Sequence, residues 1–191
     1  MLQKIIILGC GGTIAGLAND LSRPDEYQSA RLGVDALLAG SEIQRSDELE
    51  FEQVAQIDSK DAEEVFWRAL LARVSYHHNR PEVQGVVITH GTDTLEETAF
   101  LLSVLLPANK PVVLTGAMRP ANHPHADGPG NLRDSLKVVR DKTLMGVGVV
   151  MSGRWWSGSQ VQKLRAFDPD AFGSFDPLTK GEVGQSGETS V

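Results

Sequence analysis

Short apolar runs alternate with amphipathic stretches along the chain, and this alternation predicts its fold. Runs rich in Val, Ile and Leu are typical of buried strands, and apolar residues spaced three and four apart are typical of helices. Alternating strands and helices favour an α/β fold, here a single three-layer domain with a mostly parallel sheet flanked by helices. Strands are predicted at residues 4–8, 50–57, 85–89, 111–115 and 145–151, with 155–161 as a further candidate; helices are predicted at 32–38, from 61 to before 81, from 94 to 106, and from 127.

Residues typical of helix N-termini mark the starts of three of these helices. Asp61 with Glu64, and Thr94 with Glu97, have the spacing of a capping box, in which the first side chain accepts a hydrogen bond from a backbone amide of the first turn. Pro129 lies near the first turn of the helix predicted from 127, where a missing amide hydrogen does no harm.

Two segments lack a clear period. Residues 19–30 are polar, contain Pro24 and are predicted to form a loop or flap. Residues 176–191 are rich in Gly, Ser and Glu, and are predicted to be a linker or a frayed tail. The sequence therefore predicts one α/β domain over residues 1–175, followed by a tail over 176–191.

A threonine follows each of two predicted strands. Thr13 follows the first strand in the sequence GCGGTIAG, and Thr92 follows the 85–89 strand in the sequence HGTDT. Open α/β sheets bind ligands at the carboxyl ends of their strands. A threonine hydroxyl becomes a useful nucleophile when a base or a hydrogen-bonding partner activates it. Two threonines, Asp93 and several glycines at one sheet edge suggest nucleophilic chemistry on a small polar substrate.

Each motif also has a simpler interpretation. A dinucleotide fingerprint needs glycine where this chain has Ile14, and a phosphate-binding loop needs a lysine that the first motif lacks. The second motif also suits a plain helix N-terminus with Thr94 as its cap, although this leaves Thr92 and His90 unexplained. Ser59, alone at the end of a strand, is more typical of a turn than of a ligand-binding residue.

Composition narrows the class of partner. The formal net charge is −7 and the pI is near 5.2, which argues against nucleic acid, because phosphate binding needs a basic face. A small charged substrate still fits, because a local site can oppose the global charge. Cys10 is the only cysteine, which excludes an intrachain disulfide and a cysteine cluster for zinc.

The histidines and Lys163 do not by themselves indicate a function. His77 and His78 are adjacent and face different directions on a helix, and His123 and His125 lie in a Pro-containing loop, so no metal is predicted. Lys163, taken alone, is typical of a solvated surface lysine. No apolar stretch is long enough to span a membrane and no signal-peptide pattern precedes the first strand, so a cytoplasmic location is predicted.

Four ordered motifs together resemble one family. The segments GGTIAG at 11–16 and HGTDTLEETA at 90–99 resemble the two signature motifs of bacterial-type L-asparaginases, and GAMRP at 116–120 and DGPGNL at 127–132 resemble two further family segments. The resemblance implies hydrolysis of asparagine, and often of glutamine, to the acid and ammonia, with neither metal nor cofactor.

The resemblance also implies roles for individual residues. Thr13 would be the acylated nucleophile, with Tyr27 on the flap as its partner. Ser59 would bind the substrate carboxylate and Asp93 the substrate ammonium. The implied catalytic set is Thr13 with Tyr27 and a second triad of Thr92, Asp93 and Lys163; the implied substrate-binding set is Gly12, Ser59, Lys60 and Ala117.

The chain departs from the family pattern in three ways. Cys10 stands where the family usually has threonine. Lys60 stands where many members have glutamine, so it would repel the substrate ammonium or pair with the carboxylate and change specificity. Family members also carry a second, smaller α/β domain, which in a neighbouring subunit helps to close the active site, and the chain ends where that domain would begin. We therefore expect an impaired asparaginase-type domain in a homo-oligomer.

Two alternatives remain at this point. The first is a glutaminase, a broader amidase or a transamidation subunit, which the lysine at position 60 keeps open. The second is a catalytically silent domain that binds a ligand or supports assembly, which the expected absence of the second domain keeps open. In the first case, as in the leading interpretation, the partner is a small molecule.

Overall fold

The computed structural model describes residues 3–23, 26–39, 43–44, 46–141, 144–176, 180–183 and 189–190. Its helices are α1 (Val34–Ala39), α2 (Glu64–His78), α3 (Leu95–Leu105) and α4 (Gly128–Asp141). Its strands are β1 (Lys4–Gly11), β2 (Leu17–Ala18), β3 (Tyr27–Gln28), β4 (Leu49–Ile57), β5 (Val83–Thr89), β6 (Pro111–Thr115), β7 (Gly146–Met151), β8 (Arg154–Ser157), β9 (Gln162–Lys163), β10 (Phe172–Gly173), β11 (Lys180–Val183) and β12 (Thr189–Ser190). Short 3-10 turns at Thr13–Ala15 and Ser59–Asp61 follow β1 and β4.

One large sheet organises the described part of the chain. Its strand order is β12-β11-β8-β7-β6-β5-β1-β4. The five strands from β7 to β4 run parallel, and β8, β11 and β12 add antiparallel pairs at one edge. The four inner parallel strands, β1, β5, β6 and β7, are largely apolar because both of their faces are buried, whereas the edge strand β4 carries several Glu and Gln residues.

Helices cover both faces of the sheet. Alternate residues of β1 divide between the faces: Ile6 and Leu8 join a core with α2 and α3, whereas Ile5 and Ile7 join a core with α1 and α4. The period of two along the strand therefore places one helix layer on each side. The predicted three-layer α/β domain with a mostly parallel sheet is confirmed.

The prediction of two capping boxes is wrong, because in the part of the chain that the structure describes neither helix start has the side-chain hydrogen bond that a capping box requires. Asp61 lies in the 3-10 turn, and α2 begins only at Glu64 without a side-chain cap among the described residues. Asp58 accepts from the amide of Lys60 and so caps that turn. Thr94 does occupy the N-cap of α3, but its hydroxyl donates to the carbonyl of Ser59 at 2.8 Å, so the side chain joins two segments of the chain and leaves its own helix uncapped.

The predicted tail is wrong for one segment. Lys180–Val183 forms β11, which pairs antiparallel with β8, Gly181 lying opposite Trp155. Pairing needs only backbone groups along the edge of β8, so a polar, Gly-containing segment can still join the sheet. Residues 177–179, 184–188 and 191 of the predicted tail, and Pro24 of the predicted flap, lie outside the described residues. No helix in the described ranges is long and apolar enough to cross a membrane.

Candidate active site

The two threonine motifs meet at the carboxyl edge of the parallel strands. In the register of β1 and β5, Gly9 lies opposite Thr89, so the segments that follow leave the sheet side by side. Gly12 lies directly against Gly91, because a Cβ built on Gly12 would be 2.3 Å from the Cα of Gly91. Gly91 in turn lies against Ser59, whose Oγ would be 2.5 Å from a Cβ on Gly91. Glycine at these positions lets three segments approach to backbone contact.

Thr13 and Tyr27 form the first hydrogen-bonded pair of the candidate site. Thr13 begins the 3-10 turn after β1, is nearly buried at 8% exposure, and has its Oγ1 2.7 Å from the Tyr27 Oη. Tyr27 comes from β3, which pairs with β2 and places Tyr27 opposite Ala18. Gly16 leaves room for the ring, since a Cβ there would be 2.9 Å from the Tyr27 Cδ2. The predicted flap therefore delivers a phenol to the Thr13 hydroxyl.

Thr92, Asp93 and Lys163 form the second group. Lys163 lies on β9, and its Nζ donates to the Thr92 Oγ1 at 2.9 Å and to the Asp93 Oδ1 at 2.7 Å. The Lys163 side chain is 18% exposed, whereas that of Asp93 is 55% exposed. The Lys163 amide donates to the Glu96 carboxylate, which holds β9 against the start of α3. The geometry gives Thr92 a cationic partner and leaves Asp93 partly open to solvent.

Ser59 and Lys60 lie beside this group. Ser59 is buried, and its Oγ accepts from the Asp93 amide at 3.1 Å, which leaves the hydroxyl hydrogen free to donate to a ligand. Lys60 forms an ion pair with Asp58, with its Nζ 3.3 Å from the Asp58 Oδ2. The hydrogen bond and charge of Asp58 raise the pKa of the Lys60 ammonium, which keeps it charged.

Ala117 is fully buried beside the Thr13 turn, in a small apolar cluster with Ile14. Two side chains of the fourth motif fix its loop. Asp127 accepts from the amides of Met118 and Arg119, each at 2.9 Å, and Asn131 donates to the carbonyl of Gly116 at 3.0 Å. The resemblance located this motif but gave it no task; the structure shows that it holds the loop carrying Ala117.

Comparisons with known proteins show which family the chain belongs to. The family model "Asparaginase, N-terminal" matches residues 4–190. The chain belongs to the asparaginase family. The glutaminase-asparaginase of Pseudomonas fluorescens biotype A is 38% identical over 189 residues, which are 97% of this chain and 52% of that protein. The probable periplasmic L-asparaginase of Haemophilus influenzae is 40% identical over 152 residues, which are 79% of this chain and 43% of that protein.

A solved structure shows the same fold. The probable cytoplasmic L-asparaginase of Campylobacter jejuni superposes with a TM-score of 0.89 at 34% identity, covering 98% of this chain and 58% of that one. The chain spans about half the length of the curated relatives it matches. The family relationship predicted from the four motifs is confirmed, while the roles of single residues remain proposals.

Sequence reasoning gave no role to His90 of this asparaginase-family site. The ring is buried, with Nδ1 2.7 Å from the Gly91 carbonyl and Nε2 3.2 Å from the Thr98 hydroxyl, which also accepts from Trp67 Nε1 at 2.9 Å. Burial lowers the pKa of His90 to about 4, so the ring is neutral at pH 7. Since a carbonyl only accepts, Nδ1 donates to Gly91, and the single hydrogen of the Thr98 hydroxyl lies between Nε2 and the Thr94 carbonyl, which is 2.8 Å from the Thr98 Oγ1. His90 thereby fixes the peptide that contacts Gly12.

His90 makes stability sensitive to mild acid. Its pKa is near 6.5 in the unfolded chain and lowered to about 4 in the folded one, so its contribution is complete above pH 6.5 and lost as pH falls toward 4. The full difference is on the order of 3 kcal/mol. Burial also lowers the pKa of His78, which acts in the same direction. We expect the free energy of unfolding, from urea titrations, to fall between pH 7 and about pH 4.5, where carboxylates begin to bind protons.

Replacing His90 by glutamine should reduce that acid-dependent fall, and His125→Gln, at an exposed position, should leave it unchanged. An acid-dependent fall of the same size in His90→Gln and in the original chain would contradict the assignment.

The structure also places the histidines and the cysteine that the sequence analysis considered. In the described part of the chain, no three His, Cys, Asp or Glu residues cluster in a way that could hold a metal ion. His77 instead places its Nε2 2.7 Å from the carboxylate of Glu52. Cys10 is buried in the core under α2 and α3, and burial raises the pKa of its thiol, so it packs as an apolar residue.

Proposed function

We propose that the chain is the catalytic domain of an amidohydrolase that converts asparagine to aspartate and ammonia through a threonine nucleophile. The observation that carries this proposal is that two threonine hydroxyls at one sheet edge each have a hydrogen-bonding partner. Thr13 has a phenol partner at 2.7 Å and Thr92 has an ammonium partner at 2.9 Å. A hydroxyl with such a partner loses its proton at lower free-energy cost than a free one.

The reaction divides into two steps. In the first, the Thr13 oxygen attacks the side-chain amide carbon of asparagine and its proton passes by way of Tyr27 to the leaving nitrogen, so that ammonia departs and an ester forms on Thr13. In the second, water adds to the ester carbon, the carbon–oxygen bond to Thr13 breaks, and the hydroxyl regains a proton as aspartate leaves. In this proposal Thr92 and Lys163 orient that water, and the proton that the water loses passes by way of Tyr27 to the departing Thr13 oxygen.

Substrate recognition follows from the charges around the site. The Ser59 hydroxyl has a hydrogen free for the substrate α-carboxylate, and the Asp93 carboxylate can accept from the substrate ammonium while it also binds Lys163. Gly12 and Ala117 form walls that bring backbone atoms close to the substrate. Each charged end of the amino acid thus has an opposite or donating partner.

Glutamine is the second candidate substrate. It differs from asparagine by one methylene group, and a pocket distinguishes such a pair by only about 10- to 200-fold. The relative from Pseudomonas fluorescens is named a glutaminase-asparaginase, which favours activity on both amides. A silent ligand-binding domain would bind the same amino acids without turnover.

Ammonia release from purified protein with asparagine and with glutamine separates these candidates. We expect release from asparagine, with glutamine slower. Release from glutamine alone would favour the glutaminase alternative. No release from either amide, with asparagine binding measured by calorimetry, would favour the silent domain and contradict the proposed hydrolase.

We propose that the 191 residues by themselves turn over slowly. The Asp93 carboxylate is exposed, so one side of the site is open to water, and catalysis on a small substrate benefits from enclosure.

Phe100 and Val104 of α3 are 55% and 66% exposed, which favours self-association into the predicted homo-oligomer. The cytoplasmic location also stays a prediction, because relatives named cytoplasmic and periplasmic both match.

Lys60 is expected to attract the substrate without taking part in bond breaking. It follows Ser59, carries a charge, and its side chain is 65% exposed. Replacing Lys60 by glutamine should raise KM for asparagine up to about fivefold, the effect of one exposed charge, with kcat nearly unchanged. The rise should shrink in high salt, because exposed charges are screened. A lower KM in Lys60→Gln would show instead that the lysine repels the substrate ammonium.

A further inference from the structure

The strands β2 and β3, each of two residues, pair as a short antiparallel hairpin. This hairpin is here called the lid stem, and it carries Tyr27. Its outer edge is held by Asn122, from the loop between β6 and α4. The Asn122 Oδ1 accepts from the Ala18 amide at 2.9 Å, and its Nδ2 donates to the Ala18 carbonyl at 2.9 Å. The neighbouring Ala121 amide donates to the Gly16 carbonyl at 2.9 Å. One side-chain amide therefore takes the place of a third strand along β2.

The bonds of Asn122 lead directly to the catalytic pair. Ala18, which Asn122 holds through both backbone groups, lies opposite Tyr27 in the lid stem. The Tyr27 Oη lies 2.7 Å from the Thr13 Oγ1. A hairpin with only two pairs of residues is marginally stable without other support. The position of the phenol therefore depends on how firmly Asn122 holds Ala18.

We propose that Asn122 is a positioning residue that sets the distance between the Tyr27 phenol and the Thr13 hydroxyl by anchoring the lid stem. Asn122 also belongs to the loop that carries Ala117, which packs against Ile14 of the Thr13 turn. The lid stem and the Ala117 loop are thereby fixed to each other, so the two walls of the site keep one geometry. Asn122 itself contacts neither the reacting hydroxyl nor the phenol among the described residues.

Hydrogen exchange tests the anchor without any need for turnover. In Asn122→Ala the Ala18 amide loses its acceptor, so its exchange should become at least about tenfold faster under native conditions. Asn122→Asp keeps an acceptor for the Ala18 amide and loses the donor to the carbonyl, so its exchange should be intermediate. Asn19→Ala, the same change at an exposed lid position, should match the original chain. Unchanged exchange in Asn122→Ala would overturn the proposal.

A spectroscopic measurement follows the phenol itself. The chain has two tyrosines, Tyr27 and Tyr76, so Tyr76→Phe leaves a single ¹³Cζ-tyrosine resonance to assign to Tyr27. In that background Thr13→Val should move the resonance toward the value of free tyrosine, and Asn122→Ala should move it the same way. A resonance that responds to Thr13→Val and stays fixed in Asn122→Ala would show that the phenol keeps its place without the anchor.

Turnover gives a third readout, which rests on the proposed hydrolase activity. Misplacing the phenol should lower kcat about tenfold or more in Asn122→Ala. If Asn122 acts through the phenol, the same change in a Tyr27→Phe background should lower kcat less than about twofold. Equal losses in both backgrounds would contradict the inference. Absence of turnover in the unmodified chain would count against the proposed function alone, because exchange and resonance shifts still decide the role of Asn122.

Discussion

Replacing Thr13 or Thr92 by alanine is expected to lower ammonia release from asparagine by at least about 100-fold while leaving the fold intact. Each change removes one hydroxyl that the structure pairs with an activating group, the Tyr27 phenol or the Lys163 ammonium. Loss of a nucleophile or of a general acid–base group normally has at least this effect. Steady-state ammonia release gives the activity, and thermal unfolding gives the stability of each variant.

Thr89→Ala is a matched control for these two changes. Thr89 is also buried at the end of β5, but its hydroxyl has no hydrogen-bond partner among the described residues. We expect its turnover to stay within about twofold of the original chain, because the change touches no activated group. More than about a tenth of the original turnover in Thr13→Ala or Thr92→Ala would remove that threonine from the catalytic set.

Replacing Gly12 by alanine is expected to cause the largest loss of stability of any change considered for this chain. Gly12 has a φ of 75°, and a Cβ there would lie 2.3 Å from the Cα of Gly91, which is backbone and cannot turn aside. Left-handed strain and overpacking together amount to about 2–5 kcal/mol. For a chain of this size, that corresponds to a fall of roughly 5–15 °C in Tm. Turnover should fall as well, because the two threonine motifs are forced apart.

Gly130→Ala gives the opposite result and controls for the loss of a glycine as such. Gly130 lies within α4, and a Cβ there would meet nothing within 4 Å. Alanine in a helix is favoured over glycine by about 0.5–1 kcal/mol, so Tm should rise slightly. Equal Tm values for Gly12→Ala and the original chain would show that the contact between Gly12 and Gly91 is looser than the structure indicates.

The fold follows from local pattern because each face of the sheet has its own periodic set of apolar residues. The runs at 4–8, 85–89 and 111–115 could be identified as strands since both of their faces are buried, and the parallel order follows from the helices between them. Strand pairing at the sheet edge escaped the pattern. β11 needs only the backbone of β8 as a partner, so Lys180–Val183 carries little apolar signal.

Some residues of the candidate site could also be predicted from local sequence, and others could not. Its strand-end threonines could be found from spacing, because the carboxyl ends of parallel strands share one edge of the sheet. Tyr27 and Lys163 came only through family resemblance, since Lys163 bonds to residues 70 and 71 positions away and looks like a surface lysine by itself. Asn122 had no signal, and His90 could be placed in the second motif but given no role. Asn122 binds a residue 104 positions away, and no local period encodes such a contact.

The capping boxes show how a local rule loses to a tertiary contact. Thr94 has the right spacing for a cap, yet its hydroxyl donates to Ser59, which lies 35 residues earlier and adjoins the site. A cap would have the Thr94 hydroxyl oxygen accept from an amide of the first turn, and it makes no such bond within the described ranges. The side chain is instead held by its donation to the Ser59 carbonyl, a contact that helps to assemble the site.

Acid quenching followed by mass spectrometry tests the central claim most directly. Purified protein is mixed with asparagine, quenched during turnover, digested, and searched for a peptide that carries one aspartyl group as an ester. We expect the ester on Thr13, and we expect it to accumulate in Thr92→Ala or Lys163→Met, where the second step is slowed. An ester on Thr92, or ammonia release with no ester on any threonine in these variants, would contradict the assignment of Thr13 as the nucleophile.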